Sequence, residues 1–245
     1  MRKALPLMIL LLLAAPALLL ADGGQDDPVT RNEALALKTS VKAVVDALGA
    51  PPAGYAKSKE EFDLPTSMGI DKSSGVFYLT QTRGTFEFTS GKSGEQLAQE
   101  YQTKMMAAQS KGDFAEIQRL TTEMQTTMMS AMGAEMSKVQ VNVILNTNPH
   151  QKIDPEGVIW EAPGAIALRT ESSDNNTHLM LAFDPKALAD TQTVSLVDLS
   201  EGLHAAARQK TAVRTIVVEF QGPEAVVTEW AKGVDKGKIL ALIGE

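Results

Sequence analysis

Cysteine is absent from this 245-residue sequence, histidine occurs three times, and aromatic residues are few, with two Trp, three Tyr and seven Phe. Without cysteine the chain can form neither a disulfide nor a thiolate metal site, and it has no cysteine nucleophile. Basic residues are also fewer than acidic ones, 23 against 30, which gives a formal net charge of −7. A nucleic-acid-binding protein needs a basic surface to displace counterions from phosphates. The composition therefore excludes a disulfide-bonded protein, a thiolate metal site and a cysteine-dependent enzyme, and it argues against a general nucleic-acid-binding protein.

The N-terminus has the three parts of a secretory signal peptide. Arg2 and Lys3 form the basic start, an unbroken apolar run extends from Leu7 to Leu13, and the small residue Ala21 precedes a polar stretch. This pattern predicts export, to the periplasm in a Gram-negative cell and otherwise to the medium. Residues 1–21 are the expected signal peptide, with cleavage after Ala21 or, as the alternative, after Ala17.

An uncleaved membrane anchor is the competing interpretation, because the apolar stretch 4–21 approaches the shortest length that spans a bilayer. Pro6 and Pro16 interrupt that stretch and disfavour a long continuous helix, so we favour cleavage. Cleavage removes Arg2 and Lys3 but no acidic residue. The remaining 21 Lys and Arg then face 30 Asp and Glu, a net charge of −9. No membrane contact is expected beyond the cleaved signal.

Periodicity and turn residues divide the remaining chain into a flexible leader, 22–30, and a single domain, 31–245. A capping-box pair, Thr30 and Glu33, precedes the first helix. Helices are predicted at 31–48, 94–110, 114–137, 200–209, 223–232 and 236–243. Strands are predicted at 139–147, 157–161, 164–170, 177–183, 193–198 and 213–220, with a β-hairpin over 75–90 that has Arg83-Gly84 in its middle. Residues 50–74 are predicted to be loop.

These elements predict an α+β fold in which helices cover an antiparallel sheet. The two helices on either side of Lys111-Gly112-Asp113 predict a long helical hairpin, at about 94–137, inserted between strands. Strands precede and follow this hairpin without regular β-α-β alternation, which argues against a doubly wound parallel sheet.

Methionine is unusually frequent in the second helix of the predicted hairpin. Met124, Met128, Met132 and Met136 recur every four residues, and Met129 lies beside them. This spacing forms one helical stripe, which continues the apolar positions Phe114, Ile117 and Leu120. Methionine fills irregular cores and suits adaptable binding surfaces. The stripe therefore predicts core packing or a partner-binding face made of Met124, Met128, Met129 and Met132.

Copper binding is the alternative for the same stripe, because thioether sulfurs bind Cu(I). Its ligands would be Met124, Met128, Met132 and Met136. We rank this interpretation below packing and partner binding, because the four-residue spacing is already explained by a helix face.

No other motif predicts a cofactor, a metal or a catalytic residue. Gly91-Lys92-Ser93 lacks the second glycine that a phosphate-binding loop requires at position 86, which is Phe. His150, His178 and His204 do not have the sequence spacings of metal sites. The G-x-S-x-G and S-x-x-K patterns of serine enzymes do not occur.

The sequence therefore predicts an exported, non-enzymatic binding or protein-interaction protein, whose partner is a protein or an apolar ligand and which needs no cofactor. A hydrolase is the alternative, with carboxylates or a serine that converge only in the folded chain. A Cu(I)-handling protein is the third interpretation. If the methionine stripe is exposed, it marks an apolar binding face.

Overall fold

The fold is described by a computed structural model that covers residues 27–71, 73–90, 94–135, 138–173, 176–205 and 208–244. The side chains of residues 94–96, 128–135 and 173 lie outside that description. The predicted α+β class is confirmed, because α-helices accompany antiparallel sheets, the largest of which has seven strands.

The strands of the large sheet are numbered here in chain order. They are β1 Tyr55–Asp63, β2 Thr82–Ser90, β3 Val139–Leu145, β4 Val158–Ala162, β5 Ala165–Ser173, β6 Asn176–Phe183 and β7 Ile216–Gly222. Their order in space is β1-β2-β3-β7-β6-β5-β4, and every neighbouring pair is antiparallel. The last strand, β7, therefore lies in the centre and joins two three-stranded meanders.

Helices and short strands complete the described chain. The helices are α1 Arg31–Ala47, α2 Gly94–Ser110, α3 Phe114–Glu135, α4 Glu224–Gly233 and α5 Lys236–Leu240, with 3-10 turns at Pro155–Gly157, Thr191–Thr193 and Ser200–Leu203. Short strands pair Asp27–Pro28 with Ser67–Met68, Gln151–Lys152 with Leu196–Val197, and Val76–Tyr78 with both Ile70–Asp71 and His204–Ala205. Across the described ranges, no helix has both the length and the apolar character needed to cross a bilayer.

The main core lies between one face of the large sheet and helices α1, α4 and α5. Leu37, Val41 and Val44 of α1 are fully buried against inward-facing strand residues, among them Phe86, Val141, Leu181 and Phe220. Trp230 of α4 packs edge-on against Phe88, with ring centroids 4.9 Å apart. The Trp230 indole also donates a hydrogen bond of 3.1 Å to the Leu48 carbonyl, which ties α4 to the end of α1.

The opposite face of the sheet has an apolar half and a polar half. Ile166, Met180 and Val217 pack beneath Leu188 and Leu199 of the segment that follows β6. On the other half, a hydrogen-bonded row crosses β2, β3 and β7. In that row the Thr85 hydroxyl donates to Asn142 Oδ1 (2.9 Å), and Asn142 Nδ2 donates to Glu219 Oε2 (3.3 Å).

Helices α1 to α5 and strands β3 to β7 begin and end within three residues of their predicted bounds. The β-hairpin predicted over 75–90 is wrong, because Val76–Tyr78 and β2 belong to different sheets. The predicted loop 50–74 contains β1, an exposed edge strand whose Lys and Glu residues gave it the composition of a loop. The helix predicted at 200–209 is instead a 3-10 turn followed by the short strand His204–Ala205.

The predicted leader, 22–30, is described only from Asp27 onward. Asp27–Pro28 pairs with Ser67–Met68. Lys210 Nζ lies 3.0 Å from the Asp27 carboxylate and donates to the Pro28 carbonyl at 2.6 Å. These contacts hold Asp27 and Pro28 against the domain.

Candidate functional site

Helices α2 and α3, called the helix pair below, pack against each other around a small core of their own. Tyr101, Ala108 and Leu120 are buried in it, and Met105, Ile117 and Met124 pack around them. The Tyr101 hydroxyl also lies 3.2 Å from Glu123 Oε1 and 3.0 Å from Thr127 Oγ1, so both of its neighbours come from α3. This core is separate from the main core on the sheet.

The methionine stripe is described only at its first position. Met124 is half-buried and packs in the core of the helix pair, as the core-packing interpretation of the stripe predicts. The side chains of Met128, Met129 and Met132 and the whole of Met136 lie outside the described residues. The partner-binding face of Met124, Met128, Met129 and Met132 and the copper site of Met124, Met128, Met132 and Met136 both stay predictions.

Among the described side chains of the helix pair, two large apolar ones are exposed. Phe114, at the first position of α3, is 80% exposed, and Met106 on α2 is 57% exposed. The sequence places Phe114 in the buried stripe. That prediction is wrong: Phe114 begins α3 directly after the turn that joins the two helices, at the end of the pair, and it is not part of the core between them. The neighbouring surface is charged, since Arg119 pairs with Glu116 and Glu123, each at 2.7 Å.

A serine, a histidine and an aspartate meet where the 148–150 loop contacts the 198–200 turn. Asp198 Oδ1 accepts hydrogen bonds from Asn148 Nδ2 (2.8 Å) and the Ser200 N–H (3.0 Å), and His150 Nδ1 lies 3.8 Å from Asp198 Oδ2. Hydrogen bonds from Ser200, first from its hydroxyl and then from its N–H, hold the pKa of Asp198 below its ordinary value. A catalytic triad needs the imidazole between serine and carboxylate. Here the carboxylate lies between the other two, so the cluster is a hydrogen-bonded turn.

The other histidines do not form a metal site. His178 lies on β6, and the His204 ring lies 5.3 Å from the Tyr78 ring between centroids. Throughout the described part of the chain, no three His, Asp or Glu side chains converge closely enough to hold a metal ion.

A cavity of about 590 Å³ opens at the end of the sheet where β6 finishes and β7 begins. Its lining includes the charged residues Asp184, Lys186, Glu201 and Arg214 together with His204, and Ile243 and Gly244 form one wall. In the antiparallel register Phe183 is opposite Ile216, which brings Asp184 and Arg214 to the same end of the sheet. None of these residues is predicted as a site from the sequence, because the 31 positions from 184 to 214 carry no spacing pattern that links them.

Asp184 lines this cavity and is only 4% exposed. Its Oδ1 atom accepts hydrogen bonds from the N–H groups of Lys186 (2.8 Å) and Ala187 (3.0 Å). Its Oδ2 atom faces Gly202, where a Cβ atom would come within 3.1 Å of it. No described residue forms a hydrogen bond or an ion pair with Oδ2.

No protein-family model, curated protein or solved structure matches this chain.

Proposed function

We propose that this chain is an exported, non-enzymatic binding protein whose helix pair contacts a protein or an apolar partner. The 80% exposure of Phe114 carries this proposal. Burying a phenylalanine side chain stabilises a protein by about 1.5–3 kcal/mol, and the core of the helix pair forms without this one. A partner that covers Phe114 would gain that contribution.

The connectivity supports the interpretation of the helix pair as an inserted helical hairpin. Strands β2 and β3 are antiparallel neighbours in the sheet, and such strands can be joined by a two-residue turn. The chain instead places residues 91–138 between them. Because the sheet does not require this segment for its connection, we interpret the helix pair as an arm that presents a surface.

The surroundings of Phe114 suit a protein interface. An apolar centre with a polar, charged rim is the common arrangement of such interfaces, and Glu116 and Arg119 provide charges two and five residues after Phe114 on α3. Met106 adds a flexible apolar side chain on the neighbouring helix. Met128, Met129 and Met132 would extend this surface along α3 if they face the partner.

We expect alanine at both Phe114 and Met106 to weaken partner binding at least about tenfold, because truncating a central interface side chain costs more than about 1.4 kcal/mol. The full-length wild type would be cross-linked in its native extract and the partner identified by mass spectrometry. Dissociation constants would then be measured with the purified partner for the wild type and F114A/M106A.

The matched control is Leu35→Ala, which removes another exposed apolar side chain, on α1. L35A should bind as the wild type does, and all three proteins should unfold at similar temperatures. Equal binding by F114A/M106A and the wild type would refute the proposed surface, and an equal loss in L35A would show that the effect is not specific to the helix pair.

Export is tested by expressing the whole chain in a Gram-negative host and measuring the mass of the protein in each cell fraction. We expect the periplasmic form to begin at Asp22, because residues 1–21 have the pattern of a cleaved signal. Leu10→Arg, which places a charge in the apolar run, should keep the protein uncleaved in the cytoplasm. A wild-type periplasmic or membrane fraction that still begins at Met1 would contradict cleavage.

A further inference from the structure

We propose that the cavity beside Asp184 binds a small zwitterion of the amino-acid type, whose ammonium group donates hydrogen bonds to Asp184 Oδ2. This site is separate from the helix pair and does not depend on the function proposed for it. A volume of about 590 Å³ is within the range of small-molecule sites.

The proposal is based on the burial of Asp184 and on the hydrogen bonds at its two carboxylate oxygens. A buried carboxylate is costly unless hydrogen bonds and an opposite charge compensate for its lost hydration. The two N–H groups on Oδ1 provide part of that compensation, and Oδ2 receives no hydrogen bond from the described residues. No described Lys, Arg or His nitrogen lies within 4.0 Å of either oxygen. A ligand cation at Oδ2 would supply an opposite charge, and an ammonium group offers three N–H donors.

Gly202 lies against the Asp184 carboxylate. A Cβ atom there would lie 3.1 Å from Oδ2 and 2.9 Å from Thr215 Cγ2, so a larger residue would occupy the space in front of the carboxylate. Glycine at this position therefore permits close packing against both Thr215 and Asp184.

The remaining lining residues favour a zwitterion over a simple cation. The lining carries two carboxylates, of Asp184 and Glu201, and two basic groups, of Lys186 and Arg214, so it offers partners for a ligand ammonium and for a ligand carboxylate. Pro185 and Ile243 add apolar surface to the same lining. An amino acid with a short aliphatic side chain matches all three features: ammonium to Asp184, carboxylate to the basic residues, and side chain to the apolar wall.

Three probes of nearly equal shape test this assignment by calorimetric titration of the purified full chain. Leucine carries both charges, 3-methylbutylamine carries only the ammonium group, and 4-methylpentanoate carries only the carboxylate. We expect leucine to bind at least about tenfold more tightly than 3-methylbutylamine, and 4-methylpentanoate to bind most weakly. Absence of leucine binding, or tighter binding of 4-methylpentanoate than of 3-methylbutylamine, would overturn the proposal without the need for any variant.

Asp184→Asn tests the role of the carboxylate directly. Asparagine keeps an Oδ1 acceptor for the Lys186 and Ala187 N–H groups but removes the charge and presents an amide donor to the ligand ammonium. The dissociation constant of leucine should rise at least about tenfold. Asp190→Asn, the same substitution at an exposed site whose side chain makes no capping hydrogen bond, should leave it unchanged. Wild-type affinity in a folded D184N protein would exclude the ammonium–Asp184 contact.

Discussion

Replacing Asn146 with alanine is expected to lower the free energy of unfolding by about 3 kcal/mol. Asn146 is 3% exposed, and its side-chain Nδ2 donates to the carbonyls of Thr80 (3.0 Å) and Ala212 (2.8 Å). Its Oδ1 accepts from the Arg214 N–H at 2.9 Å. Alanine would leave two carbonyls and one N–H without partners, and each such buried group costs about 1–3 kcal/mol. Urea unfolding followed by circular dichroism measures the loss.

The backbone of Asn146 contributes to the same effect. Its φ angle is +55°, in the left-handed region that asparagine tolerates better than alanine does. Asn146→Gly relieves this strain but lacks the three hydrogen bonds, so we expect it to be about 1 kcal/mol more stable than N146A and still less stable than the wild type. Wild-type stability in N146G would show that the side-chain hydrogen bonds contribute little.

Asn142→Ala is the matched control for the hydrogen-bond argument. Asn142 is half-buried and bonds to the side chains of Thr85 and Glu219, which can exchange those bonds for water. The loss in N142A should therefore stay near 1 kcal/mol. Asn146 also accepts the hydrogen bond that fixes the backbone of Arg214, and Arg214 lines the cavity.

Local patterns predicted most of the helices and strands because the forces that select them are local. Thr30 and Glu33 form the capping box that their spacing predicts, with Glu33 Oε2 2.7 Å from the Thr30 nitrogen. The alternating residues of β3 bury Val139, Val141 and Val143 on one face, as period-two strands do. Such signals require no knowledge of the rest of the chain.

Strand order and the cavity depend on long-range pairing, which local patterns do not contain. Nothing in Val213 to Phe220 indicates that β7 inserts between β3 and β6, yet this pairing alone brings Arg214 beside Asp184. The charged edge strand β1 was missed for a related reason. Its Lys and Glu residues protect a sheet edge from pairing with other chains, and the same composition is typical of a loop.

The glycine at position 84 has a structural role, but the role differs from the one that the sequence predicts. The sequence places it in the middle of a hairpin, whereas the structure places it inside β2, directly beneath α1. Glycine in a strand interior often marks a close approach of another element. A Cβ atom at position 84 would lie 2.5 Å from Val41 Cγ1 and 3.0 Å from Phe86 Cε2.

Gly84→Ala is therefore expected to lower the free energy of unfolding by about 3 kcal/mol, the upper end of the cost of overpacking a core. Val41 is fully buried, and a β-branched side chain in a helix has one strongly preferred rotamer, so α1 itself must move. Gly233→Ala is the control, because a Cβ atom at that position would contact nothing within 4 Å. Its stability should equal or slightly exceed that of the wild type.

A second substitution distinguishes this clash from a general effect of alanine in a strand. Val41→Ala removes the Cγ1 atom that the new methyl group would strike, and alone should cost about 1.6 kcal/mol for the two methyl groups lost. If overpacking is the cause, the alanine at 84 fills the vacated space, and G84A/V41A should be at least about 1 kcal/mol more stable than the sum of the single losses predicts. Losses that add within about 0.5 kcal/mol would mean that contact between α1 and β2 is not what requires glycine at position 84.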